Sequence, residues 1–275
     1  MKKRLFAVPY LVWMILFTVI PLILILVYAV FRTTPTGEIT FTTEYLAQAL
    51  SPDNMSVLLR SLEYAVITTI ICLVLAYPAA LILSRLKSKV GAIVNLLFVI
   101  PMWMNFLLRT YAWRALLDYN GPINQFFSFL GLPPQELLNT EAAVIMGLVY
   151  NFLPFMLLPI SSVFSKIDKS YIQAAEDLGA NKWQVLRKVI FPLTVPGVIT
   201  GITMVFMPVV TTFVISRLLG GSYYMMFGDL LENQFMLLKD WNTGSALAVI
   251  MMILMVLSMA IMRKYDKGED SKALW

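Results

Sequence analysis

Ser170-Tyr171-Ile172-Gln173-Ala174-Ala175-Glu176-Asp177-Leu178-Gly179-Ala180-Asn181 is a polar island between two long apolar runs, and it continues through Lys182-Trp183 to Ile190-Phe191-Pro192. Ser170 followed three residues later by Gln173 has the spacing of a capping box. Tyr171, Ala174, Ala175 and Leu178 recur at i, i+3, i+4 and i+7, one face of a short helix. Gly179 suits the left-handed residue that ends such a helix. Asn181 with Gln184 repeats the cap signal for a second helix running towards Pro192 and the next apolar run. The pattern predicts a helix–Gly–helix on a loop, with a small-residue face open to a partner. On periodicity alone, an amphipathic helix lying on lipid is the alternative.

The surroundings of this island are apolar. Hydrophobic residues make up 59% of the 275 and charged residues 13%, about half the charged share of a globular domain, which excludes a soluble enzyme. There is no His, and the single Cys72 lies inside an apolar run. No disulfide framework or Cys/His metal site can be built, and no cofactor is implied. Six uncharged runs each approach the roughly 20 residues that a spanning helix needs. They predict an all-α membrane protein, one transmembrane domain over 1–275, with spans near 7–30, 64–83, 91–108, 142–164, 190–214 and 242–262 and the polar loop at 166–188. The third run has only 19 residues between Lys89 and Arg109. The first, 27 residues between Arg4 and Arg32, is too long for a signal h-region and reads as an uncleaved first span.

Basic residues orient the chain. With the N-terminus inside, Lys2, Lys3 and Arg4, the Arg85–Lys89 turn, the Lys166–Lys188 loop and the tail from Arg263 hold 15 of the 21. Both termini and the polar loop are therefore expected in the cytoplasm of a multi-pass protein of the cytoplasmic membrane. The net charge of +5 follows from the same asymmetry and calls for no nucleic acid.

Pro154 and Pro159 interrupt the fourth run, and Pro192, Pro196, Gly197, Gly201 and Pro208 the fifth, which suggests kinked helices along a path or simply the Pro and Gly common in membrane helices. All 37 charged residues can be assigned to loops and ends. A proton- or ion-coupled transporter commonly keeps an ionisable group inside a span. No Gly-x-x-x-x-Gly-Lys-Ser/Thr loop is present, so the chain is not expected to hydrolyse ATP by that route. A passive channel fits these absences, but it leaves a capped helix pair with a small-residue face without a purpose.

Ala174, Ala175, Gly179, Ile190 and Pro192 match the loop pattern Glu-Ala-Ala, three residues, Gly, about nine residues, Ile, then Pro, and the chain resembles the inner-membrane permeases of type I ABC importers. Gln173 stands where that family usually has Glu. The resemblance implies that Gln173, Ala174, Ala175, Gly179 and Ala180 form the coupling helix that docks into an ATPase subunit. Phe106-Leu107-Leu108-Arg109-Thr110-Tyr111-Ala112-Trp113, Asn120-Gly121-Pro122-Ile123-Asn124, Leu218-Leu219-Gly220-Gly221 and Asp240-Trp241 are similar to the spermidine/putrescine branch. The likeness covers nearly the whole chain. It implies a dimer of ATPase subunits, a second homologous permease and an extracytoplasmic polyamine-binding protein as partners, with spermidine or putrescine as solute. An anion or a metal chelate is the alternative solute. In relatives a carboxylate often stands near Thr212 or Arg217, and here neither is acidic.

A polyamine path should offer carboxylates at its mouth and aromatic faces within. Ten of the 16 acids fall in outer loops, among them Asp118, Asp229, Glu232 and Asp240. Trp103, Tyr111, Trp113 and Tyr150 fall at or near outer span ends, where aromatic residues also collect as interfacial anchors. Asn105 and Asn151 are polar positions in or beside spans, with the alternative role of bonding a neighbouring helix. The candidate path is Trp103, Asn105, Tyr111, Trp113, Tyr150 and Asp240.

Overall fold

The computed structural model describes residues 8–33, 38–86 and 88–265. The basic N-terminal residues, residues 34–37, Lys87 and the polar residues from Asp266 lie outside them. Helix α1, Val8–Val30, contains a π-helical turn at Ile15–Val19. It runs into an antiparallel hairpin of β1 (Phe31–Thr33) and β2 (Ile39–Phe41), with Phe31 opposite Phe41. Then come α2 (Glu44–Ala49), α3 (Pro52–Arg85), α4 (Ser88–Trp103), α5 (Phe106–Leu117), α6 (Pro122–Phe129) and α7 (Glu141–Lys166). The polar loop holds α8, Lys169–Asp177. The next long helix is α9, Lys182–Thr211, with a π-helical turn at Leu186–Ile190. A π-helical turn at Ser216–Gly220, α10 (Phe227–Glu232), a further π-helical turn at Asn233–Leu237 and α11 (Trp241–Tyr265) complete the described chain.

Helices α3, α7 and α9 pack on one another to make the centre, and α11 lies beside them with α1 against its outer flank. The distribution of residue size explains why. On α3 the buried seam is Ser61, Ala65, Thr68, Cys72, Ala76 and Ala80, whereas Val66, Ile70, Val74 and Ile82 are exposed. Large apolar residues facing lipid gain little by turning inwards, so helices in a bilayer associate through small residues that let backbones approach. The α7–α9 contact follows the same rule. A Cβ at Gly197 would lie 2.8 Å from Val163 Cγ2 and 3.0 Å from the Pro159 carbonyl oxygen, and one at Gly201 would lie 2.7 Å from Met156 Sδ. The glycines of the fifth run therefore serve helix contact, and α9 remains helical through Pro192, Pro196 and Pro208.

Among the described residues, five helices are long and apolar enough to cross a membrane. The third hydrophobic run, expected as one span over 91–108, is instead divided. Helix α4 stops at Trp103, and the α5–α6 arm leaves at 91° to it. Counted with that arm, α4 supplies a sixth crossing. Asn105 sets the break: its Oδ1 accepts from the backbone N–H groups of Leu107 at 2.8 Å and Leu108 at 3.3 Å, starting a new helix two residues after the old one ends. Helix α3 is also longer than its run. Its 34 residues reach about 51 Å at 1.5 Å per residue, against a hydrocarbon core of about 30 Å.

Candidate functional site

The polar loop is built differently from its sequence pattern at one end and as that pattern predicts at the other. Asp168, not Ser170, caps α8, with its Oδ1 accepting from the Ser170 backbone N–H at 2.9 Å. That bond holds the Asp168 carboxyl below its ordinary range. No Ser170–Gln173 box forms. At the far end Gly179 takes a φ of +83°, its N–H donates to the Glu176 carbonyl at 2.9 Å, and the Ala180 N–H donates to the Ala175 carbonyl at 3.0 Å. Asn181 and Gln184 then exchange both bonds of a capping box, at 2.9 and 2.8 Å, and start α9.

The face of α8 that meets the helix ends is also rotated from the expected one. Ile172, Ala175 and Ala180 are half-buried against the central core. Tyr171, Ala174 and Leu178 point outwards, with Leu178 89% exposed. Ala175 thus leaves the face it was expected to share with Tyr171, Ala174 and Leu178. Ile172, the most apolar branched side chain of the segment, takes the inward stripe, and Ala175 follows it one turn later. Gln173 lies with Lys169 and Glu176 beside a cavity of about 550 Å³, between α8 and the ends of α3 and α7. Trp183, just beyond the loop glycine, is 67% exposed.

At the opposite end the candidate path residues do not converge. Trp113 and Tyr150 meet edge to face, with ring centroids 5.2 Å apart. They line an open apolar hollow with Ile71, Met146 and Leu153, and no carboxylate lies among its lining residues. Tyr111 belongs to a separate shallow pocket with Arg114, Asp118 and Asn120. Trp103 is 79% exposed at the end of α4, and Asn105 is occupied as the α5 cap. Asp240 Oδ1 accepts from the Thr243 backbone N–H at 3.1 Å, in the first turn of α11. Asn151 is buried and donates to the Gly147 carbonyl of its own helix at 2.8 Å, leaving its Oδ1 without a partner.

Among the described residues, two charged ones that the sequence assigns to loops or span ends are buried. Asp229 Oδ2 accepts from Ser216 Oγ at 2.5 Å and from the Met226 N–H at 2.9 Å, while the Phe227 N–H donates to Ser61 Oγ at 2.7 Å. Burial pushes the Asp229 carboxyl above its ordinary range, against the pull of the Ser216 and Met226 bonds. It ties the start of α10 to the Ser216–Gly220 turn. Arg217 pairs with Glu232 at 2.6 Å and donates to Asn233 Oδ1 at 2.8 Å, so both Asp229 and Glu232 already have partners in the chain. Arg109 is also buried, its guanidinium 5.9 Å from the Phe106 ring centroid, with Nε and Nη1 unpartnered. Each is a lone charge beside an apolar run, with no local pattern to mark its burial.

The family described as binding-protein-dependent transport system inner membrane component matches residues 4–268. The spermidine/putrescine transport system permease protein PotB of Escherichia coli (strain K12) is 36% identical over 253 residues, covering 90% of this chain and 92% of that protein. The protein of the same description from Haemophilus influenzae (strain ATCC 51907 / DSM 11121 / KW20 / Rd) is 36% identical over 259 residues, covering 93% and 91%. Among solved structures, a chain of the bacterial alginate ABC transporter in complex with an alginate pentasaccharide-bound periplasmic protein superposes with a TM-score of 0.80 at 14% identity, covering 97% of this chain and 95% of that one.

Proposed function

Because the chain belongs to the binding-protein-dependent transport system inner membrane components and has the fold of an ABC importer permease, we propose that it carries spermidine or putrescine across the cytoplasmic membrane. The likeness to two polyamine permeases along nine-tenths of the chain carries the choice of solute. In this reading ATP is hydrolysed by a partner ATPase dimer, a second related permease completes the pore, and an extracytoplasmic polyamine-binding protein delivers the solute. The termini and α8 face the cytoplasm, in keeping with the 15 of 21 basic residues on that side.

The outward face of α8 supports the coupling role. Tyr171, Ala174 and Leu178 are exposed on a helix that is capped at its start and closed by a glycine at its end. An apolar face on so rigid a mount suits a groove in a partner. Gln173, Ala175 and Ala180 then act from behind it, setting its height and tilt against the helix ends, and Gly179 frees the chain to turn into α9. Vesicles holding the permease pair, ATPase and binding protein should take up radiolabelled spermidine or putrescine only with ATP inside. Replacing Tyr171 and Leu178 by Ala should reduce uptake and ATPase co-purification together, without lowering permease abundance. Uptake of sulfate or a metal chelate but no polyamine would overturn the solute assignment.

A further inference from the structure

The cavity behind α8 carries a charge pattern that the coupling role does not use. Its volume is about 550 Å³, and its lining includes Arg85 from the last turn of α3, Lys169 from the first turn of α8 and Lys182 from the first turn of α9. Arg85 thus meets, across some 80 residues of chain, two cations of the polar loop that stand on successive helices. Among the described residues none of the three forms an ion pair. Glu176 is the one acid among the lining residues, so the cavity keeps a net positive charge. The helix starts beside it are already capped, by Asp168 and by Asn181, so the side-chain ammonium and guanidinium groups are what it offers to a ligand.

The rest of the lining carries the polar side chains of Ser84, Ser165 and Gln173 and an apolar part supplied mainly by the long helices. Leu81 comes from α3, Phe164 from α7 and Ile190 from α9. An aqueous anion would satisfy the cations and leave the apolar part bare. A molecule with a phosphate at one end and hydrocarbon at the other meets both halves. The site also lies where the long helices end, at the depth of a lipid headgroup when this face is the cytoplasmic one, and basic pockets between membrane helices on that side recognise anionic headgroups. The outward face of α8, with Tyr171 and Leu178, is turned from the cavity, so an ATPase and a lipid would occupy different sides of the same helix.

We propose that Arg85, Lys169 and Lys182 bind the phosphate of an anionic phospholipid behind the coupling helix, with its acyl chains along Leu81, Phe164 and Ile190. This rests on the cytoplasmic placement of α8 given above. The bound lipid fills the space under Ile172 and Gln173, so that force applied to α8 reaches α3 and α7 through a packed contact rather than a void.

The test uses the assembled transporter. The parent complex, an Arg85→Gln/Lys169→Gln/Lys182→Gln variant and an Arg187→Gln/Lys188→Gln control are purified from membranes, and retained phosphatidylglycerol is counted by native mass spectrometry. Loss of three favourable headgroup contacts should cut retention by about tenfold or more in the triple variant, and the control should match the parent. ATP-driven uptake should rise with phosphatidylglycerol content in vesicles for the parent and control but not for the triple variant. Soluble glycerol phosphate at millimolar concentration should not displace the lipid. Equal retention in parent and triple variant, equal loss in the control, displacement by glycerol phosphate, or loss of ATPase from the triple variant with lipid retained would each overturn the proposal. Retention is read in detergent and does not depend on orientation. Labelling of single cysteines in intact cells tests the cytoplasmic placement separately.

Discussion

Gly179 is the residue at which backbone geometry and partner contact separate most cleanly. Its φ of +83° lies in the left-handed region, yet a Cβ built there meets nothing within 4 Å. The chain itself therefore requires the conformation and not the space. A β-branched residue in that region costs about 1–2 kcal/mol, whereas Asn visits it readily. Gly179→Val should lose uptake and Gly179→Asn should retain it at equal membrane abundance. A dead Gly179→Asn would show instead that the ATPase fills the open space. Asp229 presents the opposite case, a side chain whose partners all lie within the chain. Asp229→Ala leaves the buried Met226 N–H without its acceptor and Ser216 Oγ with the Phe213 carbonyl alone, at a cost of about 1–3 kcal/mol, and Asp229→Asn keeps an oxygen for both. The detergent-solubilised Tm should fall further for Ala than for Asn. Burial raises the Asp229 pKa, so its protonated form favours the fold and its stabilising share is lost as pH rises through the folded value. The gap between Asp229→Asn and the parent should accordingly narrow as pH rises from the ordinary carboxylate range through the folded value.

At the scale of elements the contact between α7 and α9 sets how closely the central helices approach. Gly197 and Gly201 both face α7, but what they face differs. A Cβ at Gly197 strikes the stiff Val163 side chain at 2.8 Å and the Pro159 carbonyl at 3.0 Å, and one at Gly201 strikes first the flexible thioether of Met156 at 2.7 Å. Methionine can swing aside, whereas a β-branched valine above a backbone oxygen cannot. Gly197→Ala should therefore lower the Tm more than Gly201→Ala, by an overpacking cost of about 1–3 kcal/mol. Equal losses would mean that the helix pair shifts as a unit. The bend after α4 belongs to the same scale. Hydropathy reads an unbroken apolar run there because the residues on both sides of Asn105 are equally apolar, and only the Asn105 cap separates the two helices.

For the whole molecule the governing expectation is topological. A cysteine at Ser128, with Cys72 replaced, should react with an impermeant reagent added outside, and one at Lys182 should not. The reverse pattern would invert the orientation and with it the placement of α8. Charge asymmetry, apolar run length and the Ala174-Ala175, Gly179, Ile190 and Pro192 spacing were enough to state a six-crossing all-helical permease with a helix–Gly–helix loop. Those features are local or compositional: a bilayer demands apolar length whatever the neighbours are, and a glycine stop or an Asn181–Gln184 cap acts within a few residues. Other features had no such local cause. Ala175 turns inward because Ile172 finds the helix ends of the folded core, Asp229 is buried because Ser216, 13 residues earlier, returns to meet it, and Trp113 meets Tyr150 while the other candidate path residues stay apart. Arg85, Lys169 and Lys182 read along the chain as ordinary inside charges, and only the packing of α3, α8 and α9 brings them to one cavity. Which side of a helix faces its neighbours is chosen by contacts between residues distant in sequence, and in a chain apolar on every face, periodicity carries almost none of that choice.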